Sequence, residues 1–334
     1  GSNEKFQVTD YLDSLDKPDH KTEIHSCELS DTIKYSPSYS YGDRTRSFLK
    51  VQDGCDYMCT YCTIPLARGK SRNPEIDTIV QQAEEIGNSG VKEIILTGVN
   101  IGDFGKSTGD NFLQLISELA QVDTVRRYRI SSIEPNLLTN EIIDFVAKSD
   151  KFMPHFHIPL QSGCNDVLAK MKRRYNRELF EKRVKQIRKT IPHAFIGVDV
   201  IVGFPGETDE LFNTTHQFLE RLDVSYYHVF SFSERPNTPA ASMEGKVSGK
   251  VIRERSKILQ ELADKKQHEF YRQHIGEERE VLFEASTKNK KMWGFTDNYI
   301  KTETEYDQDS AGKIKKVMLT GINKSGTMNI DRTT

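Results

Sequence analysis

From Phe48 onward the chain alternates six times between short apolar runs and amphipathic stretches, and few folds accept that order. The runs Phe48–Val51, Glu93–Leu96, Tyr128–Ile133, Phe156–Leu160, Phe195–Val202 and Tyr226–Phe232 read as strands. The stretches Ile76–Ile86, Phe112–Val122, Asn140–Ala147, the region around Val167, Arg177–Thr190, Asp209–Leu222 and Lys250–Ile275 read as helices. In the first helix Ile79, Ala83 and Ile86 share one face. The fifth run is continuous and β-branched, as suits a strand buried on both faces. Strands and helices in strict alternation imply a parallel sheet with right-handed crossovers. Six units suit an α/β fold built as a partial (β/α)6 barrel. An open doubly wound sheet is the alternative that periodicity leaves standing.

After Ile275 the pattern changes. Arg279–Ala285, Met292–Tyr306 and Lys313–Thr320 alternate like strands between Gly/Asn/Lys/Asp turns, which predicts a small all-β barrel over 275–334. At the other end, residues 1–43 are polar, with Pro18, Pro37 and a Ser/Tyr-rich stretch from Tyr35 to Tyr41. They read as a linker or the remnant of a removed N-terminal domain, and Gly1-Ser2 as a cloning scar. The expected division is therefore 1–43, a main domain over 44–274, and the β-module over 275–334. No apolar run approaches the ~20 residues that span a bilayer, and no secretory segment is visible. A cytoplasmic chain that does not engage a membrane is expected.

The 334 residues carry a formal net charge of −2, which says nothing about nucleic acid. Its distribution says more: Lys170–Lys189 holds ten Lys/Arg against Glu178 and Glu181. That stretch is either a phosphate-attracting ridge or a solvated helix face.

Three of the five cysteines fall within eight residues, Cys55-Asp-Tyr-Met-Cys59-Thr-Tyr-Cys62. Such clustering favours metal ligation in a reducing compartment over a disulfide scaffold. Thiolates alone select an iron–sulfur cluster or zinc. Structural zinc wants a fourth ligand, and neither Cys27 nor Cys164 stands at a zinc-like spacing. Three ligands on a four-iron cube leave one iron open to chelate the amino and carboxylate groups of S-adenosylmethionine (SAM). The trio directly follows the first strand, at the strand end where β/α barrels place their chemistry.

The spacing Cys-x-x-x-Cys-x-x-Cys after a first barrel strand resembles the radical SAM superfamily. The flanking text, Arg44-Thr-Arg-Ser-Phe-Leu-Lys-Val-Gln-Asp-Gly-Cys55 and Cys62-Thr-Ile-Pro-Leu-Ala-Arg68-Gly-Lys-Ser-Arg72, is similar to its methylthiotransferases. So are Leu96-Thr-Gly98-Val-Asn100, His157-Ile-Pro-Leu-Gln161-Ser-Gly163, Asp199-Val-Ile-Val-Gly203-Phe-Pro-Gly206-Glu-Thr208 and Phe232-Ser-Glu-Arg-Pro-Asn-Thr-Pro-Ala240. The terminal module resembles the family's RNA-binding TRAM barrel. Ser131-Ser-Ile-Glu134-Pro135 and Cys62–Ser71 look most like the branch that acts on threonylcarbamoyladenosine in tRNA.

The resemblance implies a [4Fe–4S] cluster on Cys55, Cys59 and Cys62 that reduces SAM, and a methylthio group added to C2 of N6-threonylcarbamoyladenosine beside the tRNA anticodon. It also implies a second cluster, the sulfur source, on three further cysteines of an N-terminal domain. This sequence holds no second trio, so a truncated form with one cluster is expected. The implied partners are tRNA and an electron donor such as flavodoxin or ferredoxin, and the chain is expected to be a monomer. Three alternatives stay open: action on isopentenyladenosine in tRNA, action on an aspartate of a small-subunit ribosomal protein, and a non-catalytic RNA-binding protein with structural zinc.

Around the trio, the resemblance places Tyr61 near the SAM adenine, where an aromatic face suits stacking. Gly98, with Thr97 and Asn100, can let backbone approach the SAM amino group, or simply turn the chain. Glu134 and Gln161 end the third and fourth strands and can point into the barrel mouth. Arg173, in competition with Arg174, can grip the SAM carboxylate bidentately. Val202 and Gly203 either pass the adenosine or form a helix-capping turn. In the terminal module Lys288, Lys290, Lys291 and Trp293 form a basic loop beside an aromatic residue, and Lys315 and Lys316 a second basic strand. That interleaving suits single-stranded RNA. Ten acids against ten bases in 275–334 equally suit a solvated barrel.

Overall fold

The computed structural model describes residues 45–284 and 290–332, with Thr9, Ile24, His25, Tyr35 and 38–40 from the N-terminal segment. Six strands alternate with helices: β1 (Arg46–Lys50), α1 (Ile64–Arg68), α2 (Ile76–Asn88), β2 (Glu93–Thr97), α3 (Phe112–Leu119), β3 (Arg127–Ile130) and α4 (Asn140–Lys148). The series continues through β4 (His155–Gln161), α5 (Asn165–Lys170), α6 (Arg177–Thr190), β5 (Phe195–Val202), α7 (Asp209–Arg221), β6 (Tyr226–Ser231) and α8 (Gly249–Gln273). Polar residues start the helices. Asn111, Thr139, Asn176, Thr208 and Ser248 each accept a backbone N–H of the first turn of α3, α4, α6, α7 and α8.

β1–β2–β3 and β4–β5–β6 form two parallel three-stranded sheets in chain order. Parallel bridges Tyr128↔Phe152 and Ser132↔His157 join them. A doubly wound sheet reverses its strand order at a switch point; here the order runs straight through, so the six units curl into the partial barrel expected from the sequence. Leu49, Leu96, Ile130, Ile158, Val198 and Val200 pack outward into one large core beneath the helices. Their neighbours one residue along face the barrel interior, as the two-residue strand period requires.

β7 (Glu278–Phe283), β8 (Lys291–Thr296), β9 (Lys301–Glu305), β10 (Ile314–Ile322) and β11 (Met328–Arg332) close a second, small barrel. Its core of Val281, Phe283, Met292, Val317, Leu319 and Met328 takes in Phe270 and Tyr271 from the end of α8, and Phe195 from β5. It lies under the amino ends of the large barrel's strands. Buried Arg129 on β3 bridges the two: it pairs with Glu93 at 3.0 Å and donates to the carbonyls of Thr296 and Asp297. Arg127 reaches Glu280 at 3.1 Å and Arg46 reaches Glu284 at 2.8 Å.

The structure differs from the sequence reading in four places. The short helix α1 follows the cysteines directly. Met292–Tyr306 is a hairpin, not one strand, turning at Tyr299 with φ of 66°. β11 supplies a fifth barrel strand. Part of the stretch read as linker is built into the sheet: Tyr39 bridges Leu49 antiparallel, with Ser40 N–H donating to Phe48 O and Lys50 N–H to Ser38 O. That pairing covers the otherwise free edge of β1.

Candidate radical SAM site

The cysteine loop leaves the carboxyl end of β1 and is closed at its base by an antiparallel bridge between Asp53 and Arg72. Gly54, at φ of 71°, makes that closure possible: a Cβ there would lie 2.0 Å from Lys70 O. Asp53 is buried and receives Arg68 at 2.9 Å and Arg72 at 2.8 Å. Burial pushes its carboxyl up, but the two guanidiniums outweigh burial and hold it below the usual aspartate range. Buried Gln52 ties the loop to the next strand end. Its Nε2 donates to Asp53 O, Gly54 O and Ser71 Oγ, and its Oε1 accepts Val99 N–H at 3.0 Å and Asn100 N–H at 2.8 Å. On the far side Thr60 bonds Lys170 O and Met171 O, and Ala240 N–H donates to Thr60 O.

Each cysteine sulfur accepts one N–H: Cys55 from Tyr57, Cys62 from Ile64, both at 3.4 Å, and Cys59 from Arg173 Nη1 at 3.0 Å. Burial pushes the Cys55 thiol up to about 11 and also raises Cys59, where Arg173 works against it. Neither is therefore a free thiolate nucleophile at neutral pH, and coordination is what would deprotonate them. The all-thiolate donor set, three sulfurs from one loop each accepting an N–H, fits an iron–sulfur cluster.

Arg173 is the hub of the site. Its side chain is 4% exposed, its Nη2 pairs with Glu134, Nη1 also reaches the Tyr61 hydroxyl at 3.3 Å, and Nε donates to the Tyr175 hydroxyl at 3.0 Å. Burial raises the Glu134 pKa despite that pairing. The structure thus gives Arg173 a carboxylate of its own. Arg174 instead lies over the Tyr57 ring at 4.0 Å and donates to Asp56 O.

Tyr61 packs edge-on to Phe204. Thr97 Oγ1 donates to Leu49 O, and Asn100 Nδ2 to Asp103 at 2.9 Å. Gly98 lies against Gln52 and Ile101. Gln161 stands at a register shift with φ of 69°. Val202 is buried at the end of β5, and Gly203, at φ of 81° against Ile252, donates its N–H to Glu207. Arg173 therefore holds Cys59, Tyr61 and Glu134 together, Gly98 and Asn100 meet Gln52, and Thr97 precedes them at the end of β2. Gln52 and Tyr175 were not singled out by sequence, because their partners are remote in the chain.

The residues expected to meet RNA are elsewhere, on the small barrel. Lys288 lies outside the described residues. Lys291 pairs with Glu303, which also accepts Trp293 Nε1 at 3.2 Å. Lys316 faces Glu278 at 3.5 Å, Lys315 is exposed, and Lys290 adopts φ of 60° at the start of β8. Cys164 is a buried core residue beside Val167, Met171 and Phe204. Cys27 lies outside the described residues.

The profile of the radical SAM superfamily matches residues 49–219. The chain is 42% identical over 286 residues to a threonylcarbamoyladenosine tRNA methylthiotransferase of Bacillus subtilis (strain 168), covering 84% of this chain and 63% of that protein. A protein of the same name from Thermotoga maritima is 35% identical, with 98% of this chain and 75% of the relative covered. Among solved structures, the radical SAM methyltransferase TsrM from Kitasatospora setae superposes with a TM-score of 0.51 at 20% identity, over 58% of this chain and 38% of the other, a likeness of fold. The chain belongs to the radical SAM superfamily. Within it, the chain belongs to the tRNA methylthiotransferase family, on the branch of the two relatives just described. The TsrM structure holds cobalamin and a [4Fe–4S] cluster. Among the described residues no helix is long and apolar enough to cross a membrane.

Proposed function

We propose that this chain carries the SAM-cleaving part of an enzyme that adds a methylthio group to C2 of N6-threonylcarbamoyladenosine beside the tRNA anticodon. The observation that carries the reading is the bond from Arg173 to Cys59 at a three-cysteine loop on the carboxyl end of β1. The 42% identity to the Bacillus subtilis protein supports the branch. The chain spans 63% of that relative's length, so the full reaction is proposed for the intact protein.

Cys55, Cys59 and Cys62 would hold the cluster, which when bound supplies the electron that breaks a carbon–sulfur bond of SAM. The chain's own residues position and shield. Asp53 with Arg68 and Arg72 fixes the loop base, and Gln52 fixes the loop to the β2 end, so the sulfurs hold one spacing. Arg173 places positive charge on one sulfur while Glu134 orients the guanidinium. Tyr61 and Phe204 wall the mouth against water. Thr97, Gly98, Asn100, Gln161 and Gly203 are proposed as the rim on which SAM would rest, with Val202, buried at the end of β5, offering backbone only. The small barrel is proposed to hold tRNA through Lys290, Lys291, Trp293, Lys315 and Lys316, with Lys288 beside them. The electron donor is proposed to be a flavodoxin or ferredoxin, and the protein a cytoplasmic monomer with domains at 44–274 and 275–334.

The test is anaerobic incubation of the reconstituted, reduced chain with SAM. 5′-Deoxyadenosine and methionine are expected. Intact SAM beside a fully loaded cluster would refute the reading.

A further inference from the structure

Three adjacent strands bring His157 of β4, Asp199 of β5 and His228 of β6 together in the barrel interior. Register pairs Gly197 with His157 and Asp199 with His228, so two neighbouring rows cross β5 on one face. Glycine in the first row leaves room. A Cβ at Gly197 would sit 3.6 Å from His228 Nε2, so the His228 ring reaches over the glycine toward β4. The two imidazole centroids are 5.1 Å apart, and His157 Nε2 lies 2.6 Å from Asp199 Oδ1. One ligand atom from each of the three residues lies within 4.8 Å of the others. Both histidines line a cavity of about 590 Å³ between the large barrel and the small one.

We propose that His157, Asp199 and His228 form a site for a first-row divalent cation, separate from the cysteine loop. Two imidazoles and one carboxylate on one side of an ion suit zinc, iron(II), cobalt(II) or nickel(II) rather than magnesium or calcium. Ligation would bring donors that now lie within 4.8 Å of one another to roughly 3.3 Å apart, as metal–nitrogen bonds of about 2.0–2.1 Å require. The remaining coordination positions open onto the cavity, so the site is one that can exchange a further ligand. A hydrogen-bonded His–Asp pair alone would account for His157 and Asp199. It does not account for His228, which among the described residues makes ring contacts with His157 and Tyr226 but no hydrogen bond. Its nitrogens therefore remain available to an ion.

The probe is zinc alone. The full chain bearing Cys55→Ala, Cys59→Ala and Cys62→Ala is dialysed against zinc and its metal content measured. About one zinc per chain is expected, and adding His228→Gln or Asp199→Asn should weaken binding at least ~10-fold, since losing even an outer partner of a metal ligand costs 10–100-fold. Because the cysteine-free chain can fail to fold, the same comparison is made on the wild-type chain with its cluster reconstituted. There the wild type should hold about one more zinc than a His157→Ala/His228→Ala variant. Unchanged zinc on removing the histidines, or no zinc beyond background in either format, would overturn the proposal.

Discussion

Arg173 Nη1 donates to Cys59 Sγ at 3.0 Å while Nη2 of the same guanidinium is paired with Glu134. A cationic donor on one cluster ligand favours the more reduced, more negative state of whatever that ligand holds. Hydrogen bonds to charged groups contribute about 1.5–3 kcal/mol. If about 1.4 kcal/mol of that is differential between redox states, the one-electron potential moves by about 59 mV. Arg173→Met should therefore lower the cluster's reduction potential by roughly 60 mV, and Arg173→Lys by less. Redox titration followed by electron paramagnetic resonance checks it. An unmoved potential would leave Arg173 without the electrostatic role assigned to it.

The cysteines separate by burial and company. Cys59→Ala should remove the cluster, because Arg173 cannot replace a ligand. Cys164→Ala should keep it and cost about 1–2 kcal/mol of stability, since Cys164 only fills core beside Phe204. Iron content and visible absorbance of the two variants give the answer. Loss of iron in the Cys164 variant would contradict the assignment.

Acid should unfold the molecule partly through Glu93. Burial pushes its carboxyl up, yet Arg129 more than compensates, and the folded-state pKa lies below the ordinary 4.5. A lowered carboxyl pKa contributes stability that is fully present above about pH 4.5 and is lost as pH falls through the folded value. Asp53 acts in the same direction below its ordinary 3.8. Urea midpoints measured below pH 5 should fall with pH, and Glu93→Gln should flatten that slope. Arg129→Met should destabilise by about 3–5 kcal/mol at neutral pH, because Glu93 is left buried without its partner.

Much of the site was legible in the sequence because its chemistry is local. Three cysteines within eight residues and the strand before them needed no tertiary information. Alternation locates the strand ends, which makes Glu134 and Gln161 candidates, and guanidinium chemistry alone nominates Arg173. What strand register and loop packing decide was not legible. Gln52 meets Val99 and Asn100 from 47 and 48 positions away. Arg129 meets Glu93 across a helix, and His157, Asp199 and His228 meet only through the pairing of β4, β5 and β6. The sequence reads Met292–Tyr306 as one strand because the β8–β9 turn places Tyr299, not glycine, at positive φ.

RNA contact through the small barrel predicts a salt signature. Removing one phosphate-contacting lysine should weaken tRNA binding regardless of sequence and reduce the salt slope by about 0.7–1. Lys315→Ala is the first choice, and Lys316, which faces Glu278 at 3.5 Å, the second. Lys291 is already paired with Glu303, so Lys291→Ala should have the smaller effect. Slopes unchanged from the wild type in all three variants would move the RNA surface to the basic stretch Lys170–Lys189.

The most direct test of the central claim, that Cys55, Cys59 and Cys62 hold a SAM-cleaving cluster, is metal and sulfide analysis of the anaerobically reconstituted chain. It is followed by one assay with reductant, SAM and substrate tRNA. About four irons and four sulfides per chain are expected, with 5′-deoxyadenosine released. No methylthio nucleoside is expected from this chain alone, since its sequence holds a single cysteine trio. One zinc on the cysteines and no sulfide would contradict the account.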